Sequence, residues 1–61
     1  MFVVEVKARP KHGDVGSLLA KTELVQVRLA HPRVKPVLAA VYLGGEVGAY
    51  AVKKRVKVMK L

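Results

Sequence analysis

Cysteine is absent from this chain, which excludes disulfide staples and thiolate metal sites. The two histidines, His12 and His31, lie far apart and are too few for a structural zinc. Only three aromatic residues occur, Phe2, Tyr42 and Tyr50, too few for a base-stacking platform. Acids are scarce: four Asp and Glu stand against 12 Lys and Arg, a net charge of +8. That balance favours polyanions as partners, nucleic acid first and an acidic membrane surface second. No apolar run reaches the roughly 20 residues that a membrane span needs. Glu5 interrupts the first apolar residues too early for a signal peptide, so a cytoplasmic protein with no membrane association is expected. There is no Asn and a single Gln beside plentiful Lys, Arg and Val, a composition compatible with a heat-adapted source.

What is present fits one domain over residues 1–61. A chain this short buries only about 60% of its unfolded surface. Self-association is the simplest added source of stability, and a homodimer is expected.

Phe2–Ala8 is rich in strand formers and bounded by Pro10. Side chains alternate across a strand, so Glu5 and Lys7 share one face while Val4 and Val6 share the other. The run lacks clean polar alternation, which predicts a strand covered on both faces. Arg9–Gly13 reads as a loop, with Pro10 lacking a donor and Gly13 free to adopt positive φ. Asp14 is placed to cap a helix. Val15, Leu18, Leu19, Thr22, Val25 and Leu29 then follow helical spacing and predict its buried face. Arg28 and His31 near its end suit the helix dipole. Residues 31–36 form a basic, proline-stopped loop. Val37–Leu43 is apolar throughout, as in a central parallel strand. After Gly44 and Gly45, residues 46–54 place Val47, Tyr50, Ala51 and Lys54 on one helical face. Val56–Leu61 carries lysines suited to a sheet edge.

The expected fold is therefore α/β, in the order β-α-β-α-β, with a small three-stranded, mainly parallel sheet and right-handed crossovers. The alternative is a small all-β barrel, in which Leu24–Leu29 is a strand and the Gly44-Gly45 region a hairpin turn.

The strand Val3-Val4-Glu5-Val6-Lys7 precedes Gly13-Asp14-Val15 and a helix with Leu18-Leu19 and Lys21-Thr22-Glu23-Leu24. With the later apolar strand, short helix and Val-Lys-Val strand, the chain resembles the C-terminal half of the PD-(D/E)XK nuclease-like superfamily. Small uncharacterised archaeal members are the most similar. The resemblance implies that Glu5 helps to bind a divalent metal such as Mg²⁺. It implies that Lys7 orients or activates the water attacking a phosphodiester. Both chemistries are sound, since a hard oxygen ligand suits Mg²⁺ and the metal polarises phosphate and water. The superfamily's second metal-binding Asp lies on a strand before the E-x-K strand and has no counterpart in this sequence. The expectation is a nucleic-acid-binding remnant of that fold without catalysis. Its phosphate contacts would be Lys7, Arg9, Lys11, Arg33 and Lys35 around the loops, with Lys53, Lys54 and Arg55 as a second cluster. Two alternatives are an oligomerising, partner-binding module with no nucleic-acid role and a metal-dependent nuclease completed by a second chain.

Overall fold

A computed structural model describes residues 1–31 and 33–61. It contains β1 (Phe2–Lys7), α1 (His12–Leu29), β2 (Lys35–Ala40), α2 (Gly45–Lys53) and β3 (Lys57–Lys60). The strands form one sheet in the order β1-β2-β3, and both pairings are parallel. The sheet is open, so the arrangement is the α/β fold and not the barrel. Pro32, one of the prolines expected to stop the first helix, lies outside the described residues.

Both crossover helices pack on the same face of the sheet. Val15 and Leu18 of α1 meet Leu38 of β2, Ala51 of α2 and Val56, all fully or almost fully buried. Val3, Leu19, Val47, Tyr50 and Val58 flank this cluster. The helix-facing set is thus drawn from Val3, Glu5 and Lys7 on β1, and from Leu38 and Ala40 with their register partners Val58 and Lys60. Among the described residues, no helix or strand packs on the opposite face.

Several boundaries and environments differ from expectation, each for a physical reason. Asp14 is not the cap of α1 but its third residue. The helix begins at His12 and takes in Gly13, which has no positive φ. Asp14 still satisfies the helix start, because its Oδ2 accepts the Lys11 N–H at 2.7 Å. β1 is an edge strand covered on one side only, with Phe2, Val4 and Val6 at 60%, 54% and 62% exposure. Leu29 is exposed rather than buried. An 18-residue helix is about 27 Å long and a six-residue strand about 20 Å, so the last turn of α1 overhangs the sheet.

β2 begins at Lys35, so Pro36 belongs to the strand and not to the preceding loop, and it ends at Ala40 rather than at Leu43. The Lys35 N–H donates to the Met1 carbonyl at 3.0 Å, toward β1. Backbone groups alternate sides along a strand, so the missing donor of Pro36 faces the β3 side. Pairing with β3 starts only at Val37, and no donor is required there.

Both helices end in the same way. His31 N–H donates to Gln26 and Ala30 N–H to Val27, with Ala30 left-handed at φ 49°. Val56 N–H donates to Ala51 and Arg55 N–H to Val52, with Arg55 at φ 63°. These are paired Schellman motifs, in which a non-glycine residue occupies the position that glycine usually takes.

Candidate nucleic-acid interface

Glu5 and Lys7 share the helix-facing side of β1, as alternation requires, but they are not partners of each other. Lys21 Nζ of α1 donates to Glu5 Oε1 at 2.9 Å. Lys7 Nζ lies 3.8 Å from Asp14 Oδ1. The two strand charges are therefore each neutralised by one charge on the helix that crosses above them. Lys21 and Glu23 flank the buried Thr22, whose hydroxyl donates to the Leu18 carbonyl at 2.8 Å. That bond is internal to α1; burial of Val15, Leu18 and Thr22 against the sheet sets the rotation that leaves Lys21 beside β1.

The donor set for Mg²⁺ does not match the chain. Glu5 is paired with the Lys21 ammonium and not set beside a second carboxylate. The oxygens of Asp14 are taken by the Lys11 N–H and by Lys7. Among the described residues no three His, Cys, Asp or Glu side chains gather closely enough to hold a metal ion. A divalent cation is normally held by at least one or two free carboxylates with phosphates and waters, so no step through a metal is derived from these residues.

The expected phosphate-contacting residues fall into two groups, at opposite ends of the strands. Lys7, Arg9 and Lys11 lie at the carboxyl end of β1. There Lys7 is paired with Asp14 and the Arg9 guanidinium stacks over Tyr42 at 5.2 Å. His12 packs against Tyr50, with ring centroids 5.1 Å apart. Arg33, Lys35, Lys53, Lys54 and Arg55 belong to the amino end. The topology gathers them there, because α2 runs back against the strands and finishes beside the start of β3.

Lys57, the first residue of β3 and the register partner of Val37, joins this group and was missed from the sequence. Its signal was the parallel pairing itself, which brings the starts of β2 and β3 together. The Met1 ammonium adds a further cation and donates to the Arg33 carbonyl at 3.3 Å. Among the described residues none of these six Lys and Arg side chains forms an ion pair. Among the described residues, Lys54 over Tyr50 at 5.7 Å is the one ring contact of these six. Glu23 lines a cleft of about 410 Å³ together with Lys54 and Arg55.

Comparison with protein-family models, curated proteins and solved structures finds no match for this chain.

Proposed function

We propose that the chain binds the phosphate backbone of nucleic acid through the basic cluster at the amino end of its sheet. The observation that carries this reading is the gathering of six Lys and Arg side chains, Arg33, Lys35, Lys53, Lys54, Arg55 and Lys57, on one end of a small fold, with no ion pair to any of them among the described residues. Ammonium and guanidinium groups neutralise phosphates and release condensed counterions, which gives affinity without base readout. Tyr42 lies beside Arg9 at the other end of the sheet, and Tyr50 is packed against His12, which leaves Phe2, the register partner of Lys35, as a lone exposed ring beside the cluster, too little for a base-stacking platform. Sequence-independent binding follows. Glu5 and Lys7 serve cohesion of strand and helix in this reading, not hydrolysis, and the nuclease resemblance describes ancestry.

The test is fluorescence anisotropy of labelled DNA and RNA titrated at several salt concentrations. About four to six phosphate contacts on duplex DNA give a slope of log K against log salt of roughly −4 to −5. Replacing Lys53, Lys54 and Arg55 together by Ala should reduce that slope by about three contacts' worth. Absence of binding near 50 mM salt, where such contacts are strong, would falsify the reading.

A further inference from the structure

Among the described residues, no element covers the second face of the sheet. Its residues form level rows across the strands: Phe2 with Lys35, then Val4 with Val37 and Lys57, then Val6 with Ala39 and Met59. All-parallel sheets belong to folds in which both faces are covered. Here Phe2, Val4, Val6, Val41, Met59 and Leu61 stand between 48% and 62% exposed. The only charges among the strand residues of this face are Lys35 and Lys57, and no acid accompanies them.

We infer that a second copy of this chain covers this face, making a dimer of two sheets packed face to face. Area is the first argument. Val37 and Ala39 at the centre of this face are already buried between their neighbours, but six apolar residues around them are about half exposed, and with the stems of Lys35 and Lys57 they offer on the order of 600–700 Å², near the roughly 800 Å² that each partner contributes to a standard interface. Its apolar part stands at the upper end of the largest patch that an ordinary monomer exposes, about 300–600 Å².

Charge is the second argument, because it selects one symmetry. A twofold axis along the strands stacks Lys35 on Lys35. A twofold axis across the strands reverses one copy and places Lys35 over the Val41 level. It also lays Val4 over Val6 of the second copy. The lysine stems then lie on apolar surface with their ammonium groups at the rim. The same axis sends the two basic clusters to opposite ends of the dimer, so the net charge of +8 on each copy opposes association least. Between Phe2, Val4, Val37, Lys57 and Met59 lies a hollow of about 180 Å³. An engineered apolar cavity of about 150 Å³ admits benzene, so the hollow takes a side chain from the facing sheet.

The decisive experiment is light scattering on the full chain at high micromolar concentration, with isotope-filtered NMR on a mixture of labelled and unlabelled protein. The expected result is twice the 6.7 kDa monomer mass. Intermolecular contacts should join the Val4 methyls to those of Val6, and none should involve Leu24, an exposed residue of α1. Val6→Lys should raise the dimer dissociation constant at least about tenfold, a loss of 1.4 kcal/mol or more, whereas Leu24→Lys leaves it unchanged. A monomeric mass overturns the inference, and so does a dimer whose intermolecular contacts lie on a helix or a strand edge. The NMR result is read on the unaltered chain, so it stands even where Val6→Lys fails to fold.

Discussion

Lys21 of α1 reaches across 16 residues of sequence to donate to Glu5 of β1 at 2.9 Å. The ammonium side chain is 58% exposed and the carboxylate 25%. Water therefore screens the pair, and its contribution is that of a surface ion pair, about 0.2–1 kcal/mol. A double-mutant cycle of Glu5→Ala and Lys21→Ala, followed by urea unfolding, should give a coupling in that range. A coupling well above it would mean that the pair is the fold's main clasp.

Left-handed backbone at Ala30 and Arg55 carries a cost that glycine avoids, about 1 kcal/mol at each position. Ala30→Gly should raise the unfolding midpoint despite the added freedom of the unfolded chain. Arg55→Gly should do the same while weakening nucleic-acid binding, because it removes a guanidinium from the basic cluster. Thermal melts and anisotropy titrations of the two variants separate the effects. Equal loss of binding in Ala30→Gly would deny the cluster its role.

Gly48 sits inside α2, where Ala is favoured by about 1 kcal/mol. A Cβ there would stand 3.2 Å from Leu43 Cδ2, the tip of a half-buried side chain that has room to turn. Gly48→Ala is expected to stabilise the protein by somewhat less than the full propensity gain, as measured by chemical denaturation.

Leu38 is fully buried in the central strand beneath both helices. Leu→Ala in a core costs about 2–5 kcal/mol. A 61-residue domain has about 3–9 kcal/mol in total. Leu38→Ala should abolish the cooperative melt seen by circular dichroism, or lower its midpoint severely.

Salt separates the two proposed interactions. Added salt screens the repulsion between two chains of net charge +8 and should tighten the dimer. The same addition should weaken nucleic-acid binding. Sedimentation and anisotropy recorded over one salt series should move in opposite directions, and parallel trends would contradict one of the two assignments.

Element order, parallel pairing and the central place of β2 were legible because they follow from local patterns. Helical spacing from Val15 to Thr22 and the unbroken apolar run at Val37 carried them. The alternation that puts Glu5 and Lys7 together was equally readable. What escaped depends on contacts between elements. Nothing local says that Lys21 and Asp14, rather than each other, would neutralise Glu5 and Lys7. The valines of β1 also read as doubly covered, because an apolar strand looks the same whether its second face meets a helix, another chain or water. Leu29 was misplaced since periodicity does not register where the sheet beneath a helix stops. Lys57 was overlooked because its membership in the basic cluster comes from register.

Pro36 has one more effect. Side chains keep their faces only if a strand slips by two residues at a time. Sliding β3 two places toward the amino end would put Pro36 where Leu38 now serves it, and a ladder donor would be lost. The proline thus acts as a register stop, penalising the nearest face-preserving misalignment of the third strand during folding.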